Sequence, residues 1–474
     1  MLQAILSRCR ELWNTKREIK LKIAYLSFTF LLMTCCLVIW RPLKQSIFSK
    51  MVGASLIPNA KIYSLFFIIP LILIYSRLVD ILRRHHLLYC FALFHGLLGL
   101  IFYFILLHPI YGISNSLTSP NRLAGWAFYF FMESFDAFFS TTFWSFADSI
   151  NKPKDAKNYY GLLVAGSKFG GIFASLLLYL VLHYSTTQLH IMLLPNALLV
   201  GSLFLVAAAG SIYLLIKKVP DDYMHGYEMA YQLEKRKPKD KKTLVQLFKS
   251  CFDGLIIILK NPYVLGIFSL VIFCEIIVVI FDFWMALYAD KTYNSVGQMT
   301  EFYASYYLIY NVIGLAITLL GTTPILRILG LRAALFAFPI VCIGLFISAF
   351  LSPTAAMFYW IIVALRAFNY ALNHPTREVL YIPTTKNVKY KAKTWTDAFG
   401  TRIAKSMGSG FNVLVKGLPP SFALYVSLTF SLGLASFWII IAYFLGKTLQ
   451  NAIDQQKVIG SEEENTPSTP SPKT

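Results

Sequence analysis

The chain is written in long apolar runs separated by short charged intervals, and the runs have the length that a membrane-crossing helix requires. A hydrocarbon core of about 30 Å takes roughly 20 helical residues. About twelve stretches answer to that description. Before a long polar interval they lie at 23–40, 60–76, 87–107, 123–147, 160–182 and 191–216; after it they lie at 263–285, 302–320, 333–350, 354–371, 397–415 and 422–445. The pattern predicts an all-α polytopic membrane protein.

Composition and charge then fix the solvent and the orientation. With 57% hydrophobic and only 14% charged residues, and a mean hydropathy of +0.60, the outer surface is expected to face lipid. Lys and Arg are retained on the cytoplasmic side in short loops. Placing the N-terminus inside puts 32 of the 43 Lys and Arg in cytoplasmic segments and brings the C-terminus inside as well. The net charge of +20 is thereby explained by orientation and contact with anionic headgroups, and no nucleic-acid partner is needed. Cys9, Cys35, Cys36, Cys90, Cys251, Cys274 and Cys342 show no CxxC pairing and no metal spacing, so they read as small core residues. There is no phosphate loop, no HExxH and no nucleophile elbow, which leaves a transporter rather than an enzyme, without cofactor or metal.

The interval 217–262, with its EKRKPKDKK run, divides the chain. The expected organisation is a cytoplasmic segment 1–22, a six-helix half 23–216, the basic linker 217–262, a second six-helix half 263–445 and a cytoplasmic tail 446–474 that is disordered at its end. Apolar residues at helical spacing over 244–259 predict an interfacial helix within the linker. PKDAKNYYGLLVAGSKFGG after the fourth span and YKAKTWTDAFGTRIAKSMGSG after the tenth read as a weak internal repeat. Six-helix repeats of this kind, with Arg77, Asp80, Arg83 and Arg84 between the second and third spans, resemble the major facilitator superfamily, which implies a central cavity between the halves.

Charges inside apolar spans are the candidate chemistry, because each is expensive to place there. Glu133 and Asp136 are three apart and share one helical face. Either they lock the bundle through a basic neighbour, or they face a cavity as partners of cations for which a substrate competes. Asp282 and Glu275, seven apart, fall under the same two readings. Lys168 lies among small residues in AGSKFGG; Arg366 occupies the tenth span; Arg402 and Lys405 lie in the eleventh with Lys391 and Lys393 at its mouth. Together these cations describe a basic path suited to phosphate oxygens, with snorkelling as the plainer account of any one of them. Arg41 and Lys44 sit at the outer end of the first span and can snorkel, unless Pro42 only kinks a helix that runs on to about Ser49. His95 is expected to be a hydrogen-bonded core residue, and Trp144 or Trp284 to be available for stacking on a base.

RPLKQSIF with IPNAK, FWSFADSINKPKDAKNYYGLLVAG, and REVLYIP followed by KYKAK and AKS resemble the non-mitochondrial ATP/ADP translocases of obligate intracellular bacteria, plastids and microsporidia. The resemblance implies a nucleotide exchanger in the inner membrane of an intracellular bacterium, working as a monomer. By motif it carries Lys44, Glu133 and Lys393 over as charged positions used in transport. One position departs: where that family has a Glu shortly before a Trp-Lys pair, Asp282 precedes Trp284 and Met285 follows it. The expectation is therefore an ATP/ADP antiporter working by alternating access. The alternative is a carrier of another nucleotide (GTP, UTP, NAD) or another organic anion, coupled to protons.

Overall fold

The computed structural model describes residues 16–151, 153–224, 254–320, 330–385, 388, 392–455 and 458–459. The predicted interfacial helix at 244–259, Lys391, Cys9, Cys251 and the acidic tail lie wholly or mostly outside these residues.

Helices cover every predicted apolar stretch, and no strand is formed among the described residues beyond one isolated bridge between Thr384 and Ile459. They are α1 (Arg17–Phe48), α2 (Ile57–Ile81), α3 (Arg84–Leu107), α4 (Leu123–Ile150), α5 (Pro153–His183), α6 (Thr187–Lys218), α7 (Pro262–Thr292), α8 (Val296–Leu320), α9 (Gly330–Leu351), α10 (Ala355–Phe368), α11 (Thr401–Val415) and α12 (Pro420–Asp454). Among the described residues, seven helical stretches are long and apolar enough to cross a membrane, the first running from α1 into α2. Helices α10 and α11, at 14 and 15 residues, are too short for that standard, and α4 and α8 carry hydroxyls, tyrosines and charges within their apolar sequence. Large apolar side chains are turned outward along the lipid-length helices, such as Leu93, Phe94, Leu97, Ile101 and Phe104 on α3. In water such a surface would aggregate; in a bilayer it is solvated.

The chain forms two compact units, one of 1–239 with 286–312, the other of 240–285 with 313–474. The first unit is built around Trp40 of α1, whose side chain is fully buried. Its ring occupies the space that side chains would take at Gly99 of α3 and Gly201 of α6, where a Cβ would come within 2.9 Å and 2.1 Å of the indole. Phe131 and Phe135 of α4 close on it at 5.3 and 5.1 Å, and the indole N–H donates to the Leu198 carbonyl at 3.3 Å. Helix α5 lies equally close to α1, since Cβ atoms at Gly166 and Gly170 would meet the Ser27 and Leu31 carbonyls at 3.1 and 2.8 Å. Small residues permit this approach in lipid, where packing rather than water exclusion holds helices together.

Helix α1 does not stop at Pro42. It continues to Phe48 and then widens into a π-turn over Ser49–Gly53. Proline removes one backbone donor from the ladder, and Ser46 Oγ donates to the Pro42 carbonyl at 3.0 Å within the same stretch. Gly53 turns the chain with φ of 125°, a conformation a side chain would resist. The same unit includes the end of α7 and the start of α8. Lys50 holds Asp290 through both its carboxylate and its carbonyl, each at 2.8 Å, while Ser46 and Thr300 share a 2.6 Å hydrogen bond and His183 meets Glu301 at 2.8 Å.

In the second unit α11 packs on α7 through Gly408, where a Cβ would stand 3.1 Å from the Ile276 carbonyl, and through Asn412, whose amide donates to the Val279 carbonyl at 3.2 Å. Phe281 stacks on Phe346 at 4.6 Å. A two-turn helix, His374–Leu380, follows a π-turn at the end of α10, and Tyr263 Oη ties its last carbonyl to α7 at 2.9 Å. A second π-turn, Thr396–Gly400, leads into α11.

The Trp40 pin gives a packing test. Gly201→Val must displace the indole and is expected to lower stability by about 1–3 kcal/mol. Gly210→Val on the same helix, with nothing within 4 Å of its Cβ, should leave the melting temperature in detergent unchanged. Equal melting temperatures for the two variants would contradict the placement of Trp40.

Candidate functional site: paired charges within the helices

Continuation of α1 through Pro42 carries Arg41 and Lys44 into the interior instead of to its outer end, which removes the snorkelling account. Lys44 is buried, with 8% of its side chain exposed, and its ammonium donates to Glu133 Oε1 at 2.9 Å and Asp136 Oδ2 at 3.2 Å. Arg41 Nε donates to the other Asp136 oxygen at 3.1 Å. Two carboxylates one turn apart would repel each other in a medium of low dielectric, and the two cations of α1 remove that repulsion. The Tyr129 ring lies beneath the same ammonium, 5.5 Å from its centroid.

On α4 the carboxylates belong to a longer feature. Glu133, Asp136, Ser140, Thr141, Trp144, Ser145 and Asp148 are open, while Phe131, Phe135, Phe139, Phe143 and Phe146 between them are buried. The open positions recur every three or four residues and so form one face. A membrane helix does not turn such a face to hydrocarbon; it belongs toward the bundle interior or toward water.

The second unit places the opposite charges on the corresponding helices. Asp282 of α7 accepts from Arg366 of α10 at 2.7 Å. Helices α1 and α7 are the first on either side of the long connection, and α4 and α10 the fourth. In one unit the first helix brings cations to acids, and in the other it brings an acid to a cation. Glu275, two turns before Asp282 on α7, faces Lys405 of α11 at 3.9 Å, a looser contact with the lysine half exposed. Lys393 bonds the Glu378 carboxylate and lies over the Tyr381 ring at 5.7 Å.

The structure thus brings Lys44, Glu133 and Asp136 into one network and gives Asp282, Lys393 and Lys405 separate acidic or basic partners. Arg402 is half-buried one turn before Lys405. Lys168 is half-buried on α5, among Gly166, Ser167 and Gly170, which face α1. His95 is buried as expected, with Nδ1 at 2.9 Å from the Phe91 carbonyl. Trp284 is 6% exposed and packed against Phe358, so its ring is not presented to a solute. Arg377 is half-buried, and its buried Nε has no hydrogen-bond partner among the described residues. Sequence reasoning passed over Glu378, which lies fifteen positions from its lysine. Arg366 had a usable signal, being the cation inside the tenth span opposite an acid in the seventh.

A sequence model described as "TLC ATP/ADP transporter" matches residues 6–363. The chain is 25% identical to ADP,ATP carrier protein 4 of Rickettsia bellii, over 88% of this chain and 87% of that protein, and 23% identical to ADP,ATP carrier protein 1 of Chlamydia pneumoniae, over 88% of each. Among solved structures, a D-xylose-proton symporter superposes with a TM-score of 0.59 at 14% identity, over 90% of this chain and 97% of that one. A bacterial homologue of the iron transporter ferroportin, in an inward-facing state, gives 0.58 at 14% identity, over 89% and 98%. The fold is therefore that of major-facilitator-type membrane transporters.

The network on α1 and α4 predicts strong coupling. Lys44→Gln leaves two adjacent carboxylates under-compensated and is expected to destabilise the protein by about 3 kcal/mol, the low end for breaking a buried pair because both acids keep some solvent. Adding Glu133→Gln should restore most of the loss. Additive effects in thermal unfolding of the single and double variants would contradict the pairing.

Proposed function

The chain belongs to the TLC ATP/ADP transporter family, and from that premise we propose that it is a nucleotide carrier, exchanging ATP for ADP by alternating access through a basic central cavity. Its activity is transport rather than bond-making. Its relatives carry the name ADP,ATP carrier protein and come from Rickettsia and Chlamydia, which supports a membrane protein of an intracellular bacterium; the inner membrane and a monomeric carrier are part of the same proposal. The positive-inside bias of the basic segments supports a cytoplasmic location for both termini, against anionic lipid.

The observation that carries the reading is the pairing of cations with internal carboxylates. A phosphate group arriving at Lys44 and Arg41 competes with Glu133 and Asp136 for the same donors, and the arginine fork and the ammonium are suited to phosphate oxygens. Lys168 in the first unit, and Lys393, Arg402 and Lys405 in the second, add further cations suited to phosphate oxygens. Reorienting cations that have exchanged their carboxylates for a phosphate is costly once the phosphate leaves and no other anion takes its place, which is the physical basis for exchange. The shortened acid Asp282 and the absence of a lysine after Trp284 leave another nucleotide, GTP, UTP or NAD, or another organic anion with proton coupling, as the second reading.

Proteoliposomes loaded with ADP should take up labelled ATP at least tenfold faster than empty ones, with uptake in loaded vesicles unaffected by collapsing a pH gradient. Equal rates in loaded and empty vesicles would contradict exchange. Competition by unlabelled ADP, GTP, CTP, UTP and NAD ranks the substrates.

A further inference from the structure

The open face of α4 does not end with its carboxylates. Trp144 stands eleven residues beyond Glu133, a rotation that returns it to the same side of the helix and an advance of about 16 Å along it. An extended nucleotide covers that distance between its terminal phosphate and its base. The Trp144 ring is half-buried and held from behind: Phe30 of α1 meets it edge-on at 5.5 Å, Phe143 at 5.4 Å, and Tyr160 of α5 at 5.0 Å. Phe30 is itself fixed by stacking on Phe143 at 4.1 Å. One turn further, the exposed Asp148 accepts a hydrogen bond from the Tyr160 hydroxyl through Oδ1. A carboxylate has room for more donors, because each oxygen carries two lone pairs.

We propose that Trp144, Asp148 and Tyr160 form a nucleobase subsite, in which the indole supplies a stacking surface and the Asp148 carboxylate accepts hydrogen bonds from the amino-bearing edge of the base. This rests on the nucleotide-transport reading and adds a basis for substrate choice. The phosphates take Lys44 and Arg41 from Glu133 and Asp136, and the base lies three turns away along the same helix face. Tyr160 positions the carboxylate by holding one of its oxygens. Guanine presents a ring N–H beside its amino group and matches a carboxylate with two parallel hydrogen bonds, adenine and cytosine present an amino group alone, and hypoxanthine lacks the amino group. Asp148 therefore favours guanine over hypoxanthine, which keeps the ring N–H and gives a single hydrogen bond.

The test uses purified full-length protein in detergent and reads ligand-induced shifts in melting temperature, as titrations with GTP, ATP, ITP and inorganic tripolyphosphate. Wild type is expected to bind GTP about tenfold more tightly than ITP, in keeping with a hydrogen bond to a charged group. Asp148→Asn should bring the GTP-to-ITP ratio close to one. Trp144→Ala should weaken every nucleotide about tenfold or more, as loss of base stacking does. In both variants tripolyphosphate should bind as in wild type, which also reports that they are folded. A wild-type preference that survives Asp148→Asn, or unchanged nucleotide binding in Trp144→Ala, overturns the subsite and leaves nucleotide transport standing. If wild type binds tripolyphosphate and no nucleotide, both readings fall together.

Discussion

Two cations of the first helix held between two carboxylates of the fourth are the constraint around which the first unit is arranged. Arg41, Lys44, Glu133 and Asp136 are charged groups inside helices that cross an apolar medium, and none is tolerable there alone. Their pairing explains why α1 must run through Pro42 and not end at it, because only a continuous helix delivers Lys44 to the acids. It also explains why α4 carries an open polar face: once the carboxylates are there, the helix has a side that cannot meet lipid. Trp40, pinned between Gly99 and Gly201, lies immediately before Arg41 and fixes where both cations emerge.

The second unit solves the same problem with the signs exchanged. Asp282 on its first helix and Arg366 on its fourth take the places that cations and acids hold in the other unit. A protein that only needed to lock its helices has no use for charge at these depths, since apolar side chains of similar size pack as well or better. Charges kept in pairs make sense where an outside ion enters and displaces one member. A nucleotide, with charge at one end and an aromatic ring at the other, is such an ion, and membership of the TLC ATP/ADP transporter family agrees.

Much of the fold was legible because a bilayer imposes one rule on every segment: enough apolar residues to cross, with the backbone satisfied inside the helix. The apolar runs therefore located the helices, and Glu133, Asp136 and Asp282 stood out as charges where none is expected, whereas Lys44 could be read as snorkelling. What remained hidden were the partners. Whether Pro42 ends a helix depends on the tertiary contacts around it, and its sequence allowed both outcomes. Glu378 lies near the end of the short helix His374–Leu380 and Lys393 opens the next helical turn, and the sequence between them carries no period that predicts their meeting. Trp284 looked available for stacking because aromatic residues read alike whether buried or lining a path; Phe358 decides the matter.

The account turns on competition between internal carboxylates and a substrate anion for the same cations. The direct measurement is the apparent Kd of ATP for purified Glu133→Gln beside wild type at equal ionic strength. If Glu133 is the group that phosphate displaces, its neutralisation tightens binding severalfold, because Lys44 no longer has to be released. An unchanged or weakened Kd in a variant that melts at the wild-type temperature would mean that the pair is structural and that the phosphates bind elsewhere.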